Sequence, residues 1–91
     1  MKGLYSMTEK ELKELHKHSI FNEEEIKKST VCGCFYCGTV LNVKDIADFR
    51  TEKNGLKTAW CPICGIDAVI GDACGVLINK NLLIEMNNYF F

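Results

Sequence analysis

The sequence has almost no net charge, and this limits the kinds of partner that it is expected to bind. Eleven Lys and Arg residues oppose twelve Asp and Glu residues, which gives a net charge of −1. The balance is also local, because residues 1–30 carry six Lys and six Glu, and residues 31–75 carry four basic and five acidic groups. A protein that binds nucleic acid through its phosphates normally presents a basic stripe. The charge pattern therefore disfavours nucleic acid and leaves a protein as the expected partner.

Long apolar segments are also missing from the sequence. No run approaches the ~18 apolar residues of a membrane-spanning helix, and residues 1–9 lack the apolar core of a secretory signal. The composition, 47% apolar and 25% charged, is that of an ordinary globular protein. We therefore expect a cytoplasmic protein, in which paired cysteines hold metal more often than they form disulfides.

The chain of 91 residues predicts a single zinc-binding domain, 1–91. Its expected parts are a helical N-terminal arm (1–30), a zinc-binding core (31–74) and a C-terminal helix (75–91). A core of this size is marginally stable, so that a bound ion would add to its stability.

Four of the six cysteines form two Cys-x-x-Cys pairs, Cys34 with Cys37 and Cys61 with Cys64. Each pair bends one turn of backbone around an ion, and the four sulfurs complete a tetrahedron with Zn–S distances of about 2.3 Å. We predict one Zn²⁺ here, with iron as a possible substitute and disulfides as the main alternative. Because four cysteines leave no coordination position open, the predicted zinc is structural rather than catalytic.

Two further cysteines, Cys32 and Cys74, fall outside these pairs. We expect each to be a small, buried, reduced side chain rather than a nucleophile. A disulfide between them, which would suggest redox sensing, is the alternative.

Capping motifs predict the helices of the N-terminal arm. Thr8 and Glu11 match a capping box, and the helix that they start should run to about His18. Asn22 is placed to cap a second, shorter helix. Apolar residues that would attach these helices to the core are Leu12, Leu15, Ile20, Phe21 and Ile26.

The zinc-binding core should contain short strands. Asn42 is placed to cap a short helix that ends at about Phe49, residues 53–55 form a hairpin-type turn, and residues 56–60 form a strand. Residues 66–70 alternate as a strand that leaves the second cysteine pair.

A short strand at residues 76–78 and a last helix capped by Asn79 should end the chain. Helical spacing relates the apolar residues Leu82, Leu83, Met86, Tyr89 and Phe90. The predicted fold class is α+β: a small zinc-stapled antiparallel sheet flanked by N-terminal and C-terminal helices. The strand after the second pair favours a zinc ribbon, and a treble clef is the alternative.

Polar residues near the predicted helix junction offer the main catalytic hypothesis. His18, Asn22 and Asp67 would act in a cleft beside the metal domain, as in a small hydrolase or nuclease. The simpler interpretation makes His16 and His18 ordinary helix-end residues and has Asp67 and Asp72 accept backbone N–H groups.

Phe35 and Tyr36 lie inside the first cysteine pair, where two aromatic rings can project outward as a recognition surface. Such rings can stack on nucleobases, or they can pack over the core of the domain itself. Trp60, which precedes Cys61, is expected in the core.

The sequence also resembles a family of small, uncharacterised bacterial cytoplasmic proteins. The similarity spans about residues 16–91 and is carried by His18-Ser19, Asn22 and the pattern CGCFYC…CPxCGIDxVIGD, read at residues 32–37 and 61–72. It implies a cytosolic zinc-binding protein. Cys74, where the pattern has serine, and Lys17, between the two histidines, depart from it.

Three functions are therefore expected in order. The first is a cytosolic protein-interaction or regulatory module with a structural four-cysteine zinc. The second is the small hydrolase or nuclease, and the third is nucleic-acid binding through Phe35 and Tyr36.

Overall fold

The computed structural model describes residues 7–91. Within this range the chain forms three α-helices and five short strands, so the predicted α+β class with small antiparallel sheets is confirmed. The helices are α1 (Glu9–His16), α2 (Glu23–Lys28) and α3 (Lys80–Phe90). The strands are β1 (Val31–Cys34), β2 (Val40–Asn42), β3 (Phe49–Thr51), β4 (Lys57–Ala59) and β5 (Val69–Gly71).

The strands form two antiparallel sheets, one in the order β2-β1-β5 and the other a β3-β4 hairpin. Gly33 lies at the centre of the three-stranded sheet, opposite Val40 on one side and Ile70 on the other. A Cβ atom at Gly33 would lie 2.7 Å from Cδ1 of Leu83 and 2.9 Å from Cγ2 of Ile78. Glycine therefore allows α3 to pack directly on the backbone of β1.

The predicted capping box starts α1. The amide of Glu11 donates to Oγ1 of Thr8 at 3.1 Å, and the amide of Thr8 donates to Oε1 of Glu11 at 2.8 Å. The helix ends at His16 rather than His18, and Lys17–Ser19 continue as a 3-10 turn.

The prediction that Asn22 caps α2 is wrong. The residue precedes α2 as expected, but its side chain makes no capping hydrogen bond. Instead, Asn22 is 3% exposed, and its side-chain amide forms hydrogen bonds with residues of two strands. Tertiary hydrogen bonds to β4 and β5 therefore replace the capping role.

The helix predicted from Asn42 to Phe49 is also wrong. The side chain of Asn42 does accept from the amide of Lys44 at 3.0 Å, but it caps only a 3-10 turn at Val43–Asp45. Phe49 belongs to β3 and pairs with Ala59 of β4. Sheet pairing with a distant segment thus overrides the helical spacing of the apolar residues.

The last third of the chain follows the prediction in part. The strand after the second cysteine pair is confined to Val69–Gly71, and residues 76–78 form no strand. Asn79 caps α3 as predicted, since its Oδ1 accepts from the amide of Leu82 at 2.9 Å. The 53–55 turn joins β3 to β4, with Gly55 at φ 86°.

One cluster of buried side chains includes residues of all three predicted parts of the chain. Leu12, Leu15 and Ile26 come from the N-terminal arm, and Leu83 and Met86 come from α3. They pack around the three-stranded sheet with Cys32, Phe35, Leu41, Val69 and Ile70. No helix within residues 7–91 combines the length and apolar character that crossing a membrane requires.

Candidate metal centre

Each cysteine pair lies in a turn with the same backbone hydrogen bonds. In the first turn the amide of Gly38 donates to the carbonyl of Cys34 at 2.8 Å, and in the second the amide of Gly65 donates to the carbonyl of Cys61 at 3.0 Å. The two glycines have φ angles of 77° and 76°, a left-handed conformation that favours glycine. Each turn thus directs two thiols towards the same point.

The four sulfur atoms of these turns form one group. Sγ atoms of Cys34, Cys37, Cys61 and Cys64 all lie within 4.8 Å of one another. Cys34 Sγ lies 3.6 Å from Cys64 Sγ, and Cys37 Sγ lies 3.8 Å from Cys61 Sγ. In a tetrahedral site with Zn–S bonds of about 2.3 Å, sulfurs are separated by about 3.8 Å. The four cysteines therefore have the spacing that can hold a metal ion.

Hydrogen bonds to the sulfurs favour their charged form. The amide of Ile63 donates to Sγ of Cys61 at 3.3 Å. Burial raises the pKa of the Cys34 thiol, and backbone N–H groups of Cys37 and Tyr36 oppose the increase. A cysteine binds metal as the thiolate. Because N–H donors stabilise the thiolate, these hydrogen bonds favour binding of a cation by the four sulfurs.

The surroundings of Cys37 lower the pKa of its thiol. Burial by itself raises the pKa of its thiol, but hydrogen bonds from the side chain and backbone of Thr39, together with Cys34 and Cys61, outweigh this effect and lower the pKa to about 7. Oγ1 of Thr39 lies 3.2 Å from Sγ of Cys37. Thr39 was not among the residues predicted from the sequence, although a hydroxyl residue two positions after a ligand is a visible signal for this contact.

The two remaining cysteines are separate from the sulfur group. Cys32 is fully buried opposite Gly71, so its predicted burial is confirmed, whereas Cys74 is only half-buried. Burial, with a smaller contribution from Asp72, raises the pKa of Cys32 to about 11. Both thiols are free, and neither joins the group that can hold a metal.

The proposed catalytic residues are only partly brought together. Nδ1 of His18 lies 2.9 and 3.0 Å from the carboxylate oxygens of Glu25, a partner that no sequence pattern indicated. Nδ2 of Asn22 donates to the backbone carbonyl of His18 at 2.9 Å, so this hydrogen bond does not involve the imidazole. Among the described residues, no hydrogen bond joins Asp67 to His18 or Asn22, and Asp67 lines a cleft with His16 instead.

The two aromatic residues of the first turn differ in exposure. Phe35 is 1% exposed, and its ring packs against His16 at 5.6 Å and Phe90 at 5.9 Å between centroids. Of the two alternatives for Phe35, the structure has packing over the core. Tyr36 is 46% exposed, with its ring edge-on to Phe91 at 4.9 Å.

Trp60 and Asp72 take structural positions. Trp60 is half-buried, with the guanidinium of Arg50 3.9 Å from its ring centroid. Asp72 accepts the backbone N–H of Thr30 at 2.9 Å, as predicted for an aspartate near the turns.

In comparison with known proteins, the chain matches no protein-family model, no curated protein and no solved structure at a significant level. The resemblance drawn from the sequence stays a prediction. The class of protein is defined by the geometry alone: a small α+β protein with four clustered cysteines that can hold a metal ion.

Proposed function

We propose that this chain is a zinc-binding protein of the zinc-ribbon type, in which one Zn²⁺ stabilises the fold. The observation that carries the proposal is the spacing of the four sulfurs, within 4.8 Å of one another. Two observations support a ribbon over a treble clef. The two turns have the same backbone hydrogen bond, from the glycine amide to the carbonyl of the first cysteine, and the second pair leads to β5 and not into a helix. Four thiolates fill a tetrahedral site, so the ion is structural.

Metal analysis of the purified protein is expected to find one zinc per chain. Cys61→Ser should lose most of the metal, because three thiolates remain where four sulfurs close the site. Cys74→Ser is the matched control and should retain one zinc, since Cys74 lies outside the sulfur group. Inductively coupled plasma mass spectrometry of protein from zinc-supplemented cultures measures this ratio. Protein free of metal, or loaded only with iron, would contradict the proposal.

The second part of the proposal is that the zinc-stapled fold acts in the cytosol as a protein-interaction module. An exposed apolar surface beside the first metal turn supports it: Tyr36 is 46%, Ile84 46% and Phe91 62% exposed. Asn87 fixes this surface to the turn, because its Nδ2 donates to the carbonyl of Tyr36 at 2.8 Å. Lys80, which lines the same shallow depression as Tyr36 and Ile84, favours an acidic segment of the partner.

Replacing the apolar groups of this surface should weaken capture of a partner without affecting the fold. Tyr36→Ser and Ile84→Ser are expected to reduce recovery of a specific protein from cell extract by about tenfold, in line with the loss of a central interface side chain. Leu56→Ser, at a residue 53% exposed on the β3-β4 turn, is the matched control. Quantitative mass spectrometry compares the variants at equal zinc content. Equal losses in all three variants would argue against this surface.

A further inference from the structure

A cleft between the N-terminal arm and the second metal turn is a candidate site for a small ligand. It encloses about 400 Å³, within the range of small-molecule sites. Its apolar lining comes from four separate parts of the chain: Ile20, Phe35, Ile66 with Ala68, and Phe91. The lining thus includes residues inside the first cysteine pair and just after the second.

Two exposed titratable side chains, His16 and Asp67, line this cleft. Among residues 7–91, the imidazole of His16 and the carboxylate of Asp67 make no side-chain hydrogen bond or ion pair. The His16 ring is held in place by Phe90, 4.5 Å away between centroids. Lys17 also lines the cleft, and within the described part of the chain it makes one ion pair, an exposed one with Glu14 at 3.1 Å. Exposed pairs of this kind contribute little, so Lys17 can turn to a ligand at small cost.

The cleft therefore contains groups that can bind either sign of charge. Asp67 offers an acceptor for an ammonium group, while Lys17 and His16 offer donors for a carboxylate. Apolar side chains line the rest of the cleft, and Phe35 and Phe91 lie 5.9 Å apart between ring centroids. A ligand with one positive group, one negative group and an apolar side chain would satisfy all three features.

We propose that this cleft binds a free α-amino acid with an apolar side chain. The ammonium group pairs with Asp67, the carboxylate pairs with Lys17 and His16, and the side chain packs on the apolar lining. This goes beyond the partner surface, because Tyr36 and Ile84 line a separate depression and only Phe91 borders both regions. It rests on the proposed zinc only in that the ion holds both turns, and hence Phe35 and Ile66, in position.

Titration of the zinc-loaded 91-residue chain with L-phenylalanine tests the proposal by ¹H–¹⁵N NMR. Amides of residues 16–20 and 66–68 are expected to shift in a saturable manner. Two probes that keep the ring but lose one charge, 2-phenylethylamine and 3-phenylpropanoate, should each bind at least about tenfold more weakly, because a charge-assisted hydrogen bond contributes about 1.5 kcal/mol or more. Equal binding of either probe, or no saturable shift, would overturn the proposal.

Matched variants separate the cleft from other effects. Asp67→Asn should weaken L-phenylalanine binding about tenfold, whereas Asp45→Asn, at an exposed carboxylate outside the cleft, should leave it unchanged. Zinc content is measured before and after titration, because a free amino acid can also extract zinc. Shifts confined to residues 34–37 and 61–64 with loss of zinc would count against the cleft. Saturable cleft shifts in protein that proves to contain no zinc would refute the metal proposal and leave the cleft proposal standing.

Discussion

Removal of the metal is expected to unfold residues 31–74 at 25 °C. Structural zinc in small domains contributes about 10–16 kcal/mol of apparent binding free energy. The whole folding free energy of a domain is about 5–15 kcal/mol. Because the four sulfurs come together only in the folded chain, the binding free energy of the ion is also folding free energy. We therefore expect the metal-free protein to lose both sheets.

The position of the metal in the fold explains why the loss should spread. The first turn joins β1 to β2, and the second joins β4 to β5. These strands belong to two separate sheets, of which one is only a hairpin of three residues per strand. A two-stranded hairpin of this length is not stable by itself. Without the ion, the two sheets therefore lose one of the connections between them.

Circular dichroism and NMR of the protein with excess chelator measure this effect. Cys61→Ser should behave like the chelated protein even in the presence of zinc. Cys74→Ser should melt within a few degrees of the unmodified protein, since a half-buried thiol that lies outside the sulfur group is replaced by a group of similar size. An unchanged melting curve in chelator would show that the four cysteines are not essential to the fold.

The metal turns could be predicted from the sequence because they depend on neighbouring residues only. Cys34 and Cys37 share one turn, and the glycine that follows allows the conformation that closes it. The caps of α1 and α3 were predicted for the same reason, since Thr8 with Glu11 and Asn79 with Leu82 are three residues apart. Local hydrogen bonds need no knowledge of the rest of the fold.

Errors arose where a distant segment decides the outcome. Phe49 was assigned to a helix by its spacing, but pairing with Ala59 places it in a strand. The sequence left two positions open for Phe35, outward or packed over the core, because Phe90, which packs against it, lies 55 positions later. The candidate cleft shows the same limit, because His16 and Asp67 are 51 positions apart and no pattern connects them.

Asn22 is the clearest case of a residue whose function depends on distant contacts. Its Oδ1 accepts from the amide of Ala59 at 2.9 Å, and its Nδ2 donates to the carbonyl of Val69 at 2.8 Å. Ala59 ends β4 and Val69 starts β5, and these two strands pair with β3 and β1 rather than with each other. The side-chain amide of Asn22 thus takes the place of a peptide group between two strands that flank the second metal turn.

The backbone around Asn22 is adjusted to this position. Phe21 has a φ of 53°, a left-handed conformation that is uncommon for an aromatic residue. Its amide donates to Oγ1 of the fully buried Thr58 at 2.9 Å. Strain of this kind costs on the order of 1–3 kcal/mol and persists when surrounding contacts fix it. The hydrogen bonds of residues 21 and 22 to β4 and β5 are those contacts.

Asn22→Ala is therefore expected to destabilise the zinc-loaded protein by about 3–5 kcal/mol. The change removes three hydrogen bonds and leaves a buried amide of Ala59 and a buried carbonyl of Val69 unpaired, each at a cost of about 1–3 kcal/mol. Asn22→Asp keeps the acceptor for Ala59 but loses the donor to Val69, so its effect should be of similar size. Urea unfolding at saturating zinc measures the free energy of unfolding.

The matched control is Asn42→Ala, because Asn42 also accepts one backbone amide but is exposed. Loss of such a cap costs about 0.5–2 kcal/mol. Equal effects of Asn22→Ala and Asn42→Ala would refute a bridging role for Asn22. If the bridge holds β4 and β5 in position for the second turn, Asn22→Ala should also weaken zinc binding, whereas Asn42→Ala should not. Competition with a chromogenic chelator separates the two variants, since a purely local cap has no means of reaching Cys61 and Cys64.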